Sequence, residues 1–133
     1  MNLQRVVRGR RHFGMLAVAS LLLTGQVHAA PAGDPEAGSD VYAGECSDCH
    51  SVKQGKNKKG PSLFGVVNRK SAAIADFSYS DAMKQLNIVW SIDKLDAYIT
   101  KPKAVVPGGK MKYDGLPDAK ARADLLAFLA TKK

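Results

Sequence analysis

The chain places its two cysteines three residues apart, with a histidine directly after the second, in the stretch CSDCH at residues 46–50. Thiols bind metals and form disulfides, and an imidazole is a good metal ligand. Three chemistries therefore fit this stretch: a redox disulfide, part of a metal site, or the attachment point of a covalently bound haem. The choice among them depends on the compartment, on the other ligands in the chain and on the elements that carry the stretch.

The first 30 residues have the pattern of a secretory signal peptide. They contain Arg5, Arg8, Arg10 and Arg11, then an apolar run at residues 13–23, and no acidic residue. The run is shorter than the ~20 residues that span a bilayer, and Val27 and Ala29 allow cleavage before Ala30. A retained N-terminal anchor is the alternative. We assign residues 1–30 to a cleaved signal peptide and residues 31–133 to one periplasmic domain without stable membrane insertion.

Loss of the signal changes the charge of the protein. The formal net charge of +8 includes four signal arginines, so 16 basic residues remain against 12 acidic ones and the net charge is +4. Lysines cluster at Lys53, Lys56, Lys58 and Lys59, and again at Lys103, Lys110 and Lys112. They could steer the protein toward an acidic partner or simply form a solvated surface. Nucleic acid is excluded as a partner, because the lysines are not interleaved with aromatic residues and the chain is exported.

The sequence predicts an all-α domain with three main helices and one short helix, and it has no strand signal. The first helix starts at Asp34-Pro35, where Asp34 can cap and Pro35 suits the first position, and it carries CSDCH at its C-terminal end. Three helices follow: a short one capped by Ser80, one from Ser91 to a stop at Lys101-Pro102, and a last one that starts near Pro117 with Asp118 in its first turn.

Residues 51–74 have neither a helical nor an alternating period, so we predict a long irregular loop there. So long a loop is unusual in a small domain unless it wraps something. A large bound cofactor would fill that need and would add apolar surface to the core.

Two of the three chemistries for CSDCH lack support elsewhere in the chain. A zinc site needs four ligands, yet residues 31–133 contain no Cys or His besides Cys46, Cys49 and His50. A thioredoxin-like site needs a βαβ unit, and none is predicted. Cys-x-x-Cys-His is the attachment signature for haem c: the two thiols, about one helical turn apart, bond the vinyl groups, and His50 becomes the proximal ligand of the iron.

Two methionines are candidates for the sixth iron ligand. Met83 lies in a predicted helix, where a methionine commonly fills the core. Met111 ends the stretch PGGKM, whose glycines let the backbone approach a flat ring. We therefore predict Met111 as the ligand. If Met111 were only packed in its loop, the iron would be open and the function different.

With these residues, the chain resembles the class I cytochromes c of the mitochondrial and periplasmic type. The resemblance runs from Gly33 to Phe128 and rests on CSDCH, GPSLFGVVNRK, FSYSDAMK, IVW, DAYITKPKAVVPGGKM and the final helix. It implies a small cytochrome c fold, with three main helices, a short one and long loops wrapped around one covalent haem c and its iron. It also implies that Gly38 and Tyr42 are where the first helix crosses the last, against Leu125 and Phe128.

The resemblance assigns further roles to individual residues. The carbonyl of Pro61 would accept the ring N–H of His50. Arg69, Tyr79 and Trp90 match positions that hold the haem propionates, and Tyr98 matches the tyrosine behind the Met ligand. Four residues depart from the family pattern, namely Met83, Gly109, Tyr113 and Glu45, the last standing where mitochondrial relatives carry a partner-facing lysine.

Histidine and methionine together would fill both axial positions, so the predicted function is single-electron transfer without catalysis. The resemblance implies a monomeric carrier that docks at its haem edge with a quinol-oxidising membrane complex or a dehydrogenase, and then with a terminal oxidase or other acceptor. The alternative from another class is a haem enzyme or gas sensor with an open iron site, similar to a peroxidase.

Overall fold

A computed structural model describes residues 32–133, and the predicted signal peptide, residues 1–30, lies outside them. The described chain contains five helices: α1 (Pro35–Glu45), α2 (Asp81–Gln85), α3 (Ile92–Thr100), α4 (Pro102–Val105) and α5 (Ala119–Ala130). The remaining described residues form loops, with one isolated antiparallel bridge between Lys70 and Val89 and no strand. This architecture confirms the all-α prediction. Between residues 32 and 133, no helix is long and apolar enough to cross a bilayer.

Side-chain caps set the start of each predicted helix. Asp34, Ser80, Ser91 and Asp118 accept a hydrogen bond from a backbone N–H two or three residues ahead, at 2.7–3.3 Å. The prediction that Asp118 lies inside the first turn of the last helix is wrong. Its backbone is extended, with φ −72° and ψ 116°, so Asp118 is the N-cap and α5 begins at Ala119.

The short helix α4 was not predicted, because its proline was interpreted only as a stop signal. Pro102 does end α3, since the residue before a proline avoids helical backbone and Lys101 has φ −152° and ψ 77°. The same proline suits the first position of a new helix, where its missing N–H costs nothing. The N–H of Val106 then donates to the carbonyl of Pro102 at 2.9 Å. Pro102 therefore ends one helix and starts the next.

Helix α1 crosses α5 at small residues. Gly33 and Gly38 lie directly against the backbone of Ala123 and Asp124, and a Cβ at Gly38 would overlap the Asp124 carbonyl. Further along the crossing, the ring of Tyr42 packs on the ring of Phe128 with 5.4 Å between centroids. The crossing that the resemblance implied for Gly38 and Tyr42 is therefore present.

A buried carboxylate holds the start of α1 against α5. Asp124 is 5% exposed and accepts a hydrogen bond from the N–H of Asp34 at 2.7 Å. Its two oxygens also lie 2.5 and 2.6 Å from Nζ of Lys120. The hydrogen bond from Lys120, and then that from Asp34, lower the pKa of Asp124. Because the pKa of Asp124 is lower in the folded protein, its carboxylate stabilises the fold at pH values above the ordinary carboxyl pKa of about 4, and this contribution is lost as the pH falls through the lowered pKa.

The glycine at the helix crossing can be tested against a matched control in the same helix. Gly38→Ala should lower the free energy of unfolding by about 1–3 kcal/mol, because the added Cβ forces α1 away from α5. Gly44→Ala should be neutral or stabilise by up to about 1 kcal/mol, since a Cβ there meets no atom within 4 Å. Denaturant unfolding of the purified protein measures both. Equal effects of the two changes would contradict close packing at Gly38.

Candidate functional site

The CSDCH stretch lies in the turn that follows α1. Cys46 caps the helix, and its N–H donates to the carbonyl of Tyr42 at 3.0 Å. The N–H groups of Cys49 and His50 then both donate to the carbonyl of Cys46, at 3.1 and 2.9 Å. Helix α1 ends at Glu45, one residue before the motif. The prediction that this helix presents both cysteines and the histidine at its C-terminal end is confirmed.

The geometry around the cysteines disfavours the redox and zinc alternatives. Burial, followed by the charges of Glu45 and Cys49, raises the pKa of Cys46 to about 11. A thiol oxidoreductase needs a reactive thiolate, so a thiol that stays protonated at neutral pH is poorly suited to that role. Zinc fits no better, because the described part of the chain contains no group of three or more His, Cys, Asp or Glu side chains placed to hold a metal ion.

The imidazole of His50 is held in one orientation and one tautomer. Its Nδ1 lies 2.8 Å from the carbonyl of Pro61. A carbonyl only accepts hydrogen bonds, so Nδ1 carries the proton and Nε2 keeps a free lone pair for a metal. The ring lies against Gly60, where a Cβ would overlap it, and burial lowers the pKa of His50. A neutral, oriented imidazole is the form that ligates iron.

Sequence reasoning missed a second support for His50. The hydroxyl of Tyr42 donates to the backbone carbonyl of His50 at 2.8 Å. The N–H of Gly60 donates to the carbonyl of Cys49 at 2.8 Å, which keeps the Gly60-Pro61 pair beside the imidazole. The only sequence signal for Tyr42 was its position at the helix crossing, and a crossing residue has no evident reason to contact the motif.

The motif borders a cavity of about 590 Å³, within the ~300–1,000 Å³ range of ligand and cofactor sites. Eight predicted site residues line it: Cys46, Cys49, His50, Pro61, Arg69, Tyr79, Tyr98 and Met111. The apolar part of the wall includes Leu63, Val66, Phe77, Met83, Leu95, Ile99, Leu116, Leu125 and Leu129. Apolar walls with a few convergent polar groups suit a large, mostly apolar ring such as haem.

Trp90 is the predicted site residue that is not among those lining the cavity. It is 6% exposed and belongs to the hydrophobic core. Its ring packs against Tyr98 with 5.0 Å between centroids, and its backbone N–H donates to the backbone carbonyl of Arg69 at 2.9 Å. Trp90 thus contacts two lining residues. Its direct contact with a haem propionate stays a prediction.

Arg69 and Tyr79 supply polar donors on the cavity wall. Two guanidinium nitrogens of Arg69 donate to the carbonyls of Phe64 and Ser62, each at 2.8 Å. A guanidinium has five N–H groups, so three remain for an anionic ligand. Burial raises the pKa of Tyr79, which keeps its hydroxyl protonated as a donor. These groups are suited to carboxylates.

The structure places both candidate methionines on the cavity wall. The hydroxyl of Tyr98 donates to Sδ of Met111 at 3.9 Å, while Met83 packs against the hydrophobic core from α2. Burial raises the pKa of Tyr98, so this donor is retained at neutral pH. The glycines before Met111 serve the turn: Gly108 has φ +83°, and the N–H of Gly109 donates to the carbonyl of Val106 at 3.0 Å.

The charged residues at the cavity include lysines of both clusters noted in the sequence, together with Lys70, which the sequence did not single out. Besides Arg69, the lining residues include Glu45, Lys59, Lys70, Lys110 and Lys112, with Tyr113 beside them. The hydroxyl of Tyr113 donates to Oε2 of Glu45 at 2.8 Å. Burial, and then this hydrogen bond, raise the pKa of Tyr113. The sequence marked Glu45 and Tyr113 as separate departures from the family pattern, and only the fold brings them into contact.

Comparison with known proteins places the chain in a family. The model of the family described as Cytochrome c matches residues 35–133. A cytochrome c2 from Rhodopila globiformis is 46% identical over 104 residues, which cover 78% of this chain and 98% of that protein. A cytochrome c from Theileria annulata is 44% identical over 100 residues, which cover 74% of this chain and 86% of that protein. A cytochrome c from Arabidopsis thaliana is 43% identical over 98 residues, which cover 73% of this chain and 88% of that protein.

These matches agree with the chemistry of the cavity. The CSDCH turn, the neutral imidazole and the apolar walls fit a covalently attached haem better than a disulfide or a zinc ion. The family consists of electron carriers, so the prediction that the chain is not an enzyme is also confirmed. The chain belongs to the cytochrome c family and carries covalent haem c through Cys46 and Cys49, which directly precede His50.

Proposed function

We propose that this cytochrome c is a periplasmic carrier of single electrons, with His50 and Met111 as the axial ligands of its haem iron. Its donor would be a quinol-oxidising membrane complex or a dehydrogenase, and its acceptor a terminal oxidase or a similar protein. The observation that carries the proposal is that both side chains line one cavity, and each contacts a hydrogen-bonding group that can hold it, Pro61 for His50 and Tyr98 for Met111.

When bound, haem c supplies an iron that gains and loses one electron. With the imidazole of His50 and the thioether of Met111 both bound to it, the iron would have no position left for oxygen or peroxide, which supports electron transfer over catalysis. The soft sulfur of Met111 would favour the ferrous state and raise the potential. The hydrogen bond to Pro61 holds the His50 ring in one orientation, so it need not reorient with each transfer.

Contacts of the two methionines support Met111 over Met83 as the ligand. Met111 lies in a loop, and its sulfur receives the Tyr98 hydroxyl, as a ligand with a supporting donor would. Met83 lies in α2 and packs against the hydrophobic core, as a core-filling methionine would.

Polar groups of the wall would hold the two haem propionates. Arg69 retains N–H donors beyond those used on Ser62 and Phe64, and Tyr79 keeps a protonated hydroxyl. Trp90 would take part through its contacts with Arg69 and Tyr98 or through its own indole N–H. Donors of this kind offset the cost of burying carboxylates.

The charge around the cavity supports docking with acidic redox proteins. Four lysines line the cavity, namely Lys59, Lys70, Lys110 and Lys112, whereas Glu45 is the one acidic residue among the lining residues of the described chain. Each of these lysines is exposed, as is Cys49, one of the two attachment residues. Exposed like charges around a redox centre accelerate encounter with a partner of opposite charge, and salt screens the effect.

Paired methionine variants test the closed iron site. Met111→Ala should let the ferrous protein bind carbon monoxide at neutral pH and should lower the potential, within the roughly 0.8 V range that axial ligands span. Met83→Ala should leave ligation and potential close to those of the unchanged protein. Absorption spectra under carbon monoxide and redox titration measure both effects. Ready carbon monoxide binding by the unchanged protein, or equal ligand loss in both variants, would contradict the assignment.

The lysines around the cavity can be tested with an anionic redox reagent of defined charge. Oxidation of the ferrous protein by hexacyanoferrate(III), followed by stopped flow, should slow about tenfold between low and high ionic strength. The double variant Lys70→Glu/Lys112→Glu should be slow already at low ionic strength. The double variant Lys94→Glu/Lys101→Glu, which makes the same charge change at exposed positions away from the cavity, should stay close to the unchanged protein. Equal slowing in both double variants would indicate that only net charge matters.

The predicted export can be tested with the full chain in a bacterial host that matures cytochromes c. We expect haem-bearing protein in the periplasmic fraction, with the mass of a chain that begins close to Ala30 plus haem. Leu22→Asp, which interrupts the apolar run, should abolish this product. Haem-bearing protein of full-chain mass in the membrane fraction would instead establish a retained anchor.

A further inference from the structure

One side-chain hydrogen bond joins the residue before the CSDCH turn to the segment that contains Met111. The hydroxyl of Tyr113 donates to Oε2 of Glu45 at 2.8 Å, across 68 residues of sequence. Glu45 ends α1 and directly precedes Cys46, while Tyr113 lies two residues beyond Met111. Both residues line the cavity. The bond therefore connects the covalent attachment turn to the segment that carries the axial methionine.

The segment around Met111 has few other fixed points. Its backbone is anchored at Gly109, whose N–H donates to Val106 at 3.0 Å, and at Leu116, whose N–H donates to Ile99 at 2.8 Å. Between these anchors, residues 110–115 make no backbone–backbone hydrogen bond with any other described residue. We call residues 110–115 the Met111 loop. Its position over the cavity depends on side chains.

Besides the bond from Tyr113, two side-chain hydrogen bonds join the Met111 loop to other residues that the structure describes. The bond from Tyr98 to Sδ of Met111 is 3.9 Å long and has a weak sulfur acceptor. The ion pair of Lys103 with Asp114 is 2.9 Å long, but its side chains are 72% and 96% exposed, so solvent screens it. Glu45 is also exposed, but Tyr113 is half-buried and its hydroxyl donates to a charged acceptor at 2.8 Å, so we infer that this bond is the stronger restraint.

We propose that the hydrogen bond between Tyr113 and Glu45 is a latch that keeps the Met111 loop closed over the haem iron. Glu45 and Tyr113 are then positioning residues: they touch neither iron nor partner in this role, and they act through Met111. This inference rests on the proposed ligation of iron by Met111. When the latch opens, the loop can leave the iron, and a small external ligand can take its position.

The latch predicts a measurable affinity for an external ligand. The apparent affinity for such a ligand is its intrinsic affinity multiplied by the fraction of open molecules. The fraction of open molecules can be measured by titrating imidazole into the ferric holoprotein at fixed pH and ionic strength. Absorption spectra report the binding. Tyr113→Phe removes only the hydroxyl and should tighten imidazole binding about tenfold, as expected for a lost hydrogen bond to a charged group.

Matched variants separate the latch from a general effect of substitution. Glu45→Ala should tighten binding about as much as Tyr113→Phe, and the double variant should add little to either single change, because both remove one bond. Glu45→Gln keeps an uncharged acceptor and should have a smaller effect. Lys103→Ala removes the exposed ion pair of the same loop and should leave the affinity within about twofold of the unchanged protein.

The possible results distinguish failure of the latch from failure of the proposed ligation. If Met111→Ala binds imidazole tightly while Tyr113→Phe and the unchanged protein bind it equally weakly, the latch is refuted and the ligation stands. Fully additive effects of Glu45→Ala and Tyr113→Phe also refute it. If the unchanged protein already binds imidazole as tightly as Met111→Ala does, Met111 does not close the iron site, and both proposals fail.

Discussion

The hydrophobic core of this cytochrome c lies directly against the cavity that suits haem, so burial of one large apolar group there would extend that core. Core residues such as Leu95, Leu125 and Leu129 also line the cavity, so one set of side chains serves both. The walls come from α2, from α3, from α5 and from the long loop that follows the CSDCH turn. Haem burial therefore completes the hydrophobic core, and the covalent bonds through Cys46 and Cys49 keep the group in place.

The helix crossing away from the cavity positions the attachment turn. Gly38 lets α1 approach α5 to backbone contact, and Asp124 ties the start of α1 to α5 through the N–H of Asp34. The other end of α1 is thereby directed to the cavity, where Tyr42 holds the backbone carbonyl of His50 and Pro61 holds its Nδ1. The orientation of one imidazole thus depends on packing along a whole helix.

The two proposed iron ligands are supported very differently. His50 lies in a hydrogen-bonded turn and its ring packs against Gly60, whereas Met111 lies in a loop whose backbone is anchored only at its edges within the described chain. The iron would stay closed to external ligands only while the more weakly held ligand, Met111, stays in place. In the proposed latch, the hydrogen bond between Tyr113 and Glu45 supplies a restraint at that side.

The sequence by itself determined the chemistry and the local structure. The haem-attachment chemistry can be read from CSDCH alone, because the two thiols and the imidazole lie within five consecutive residues. Caps such as Asp34 and Ser91 likewise act on N–H groups within one helical turn. Only the tertiary structure decided contacts across the chain, such as Tyr42 on His50, Tyr113 on Glu45 and the place of Trp90 in the core. The physical reason is that periodicity and capping act over a few residues, whereas these contacts depend on how distant segments pack around the cofactor.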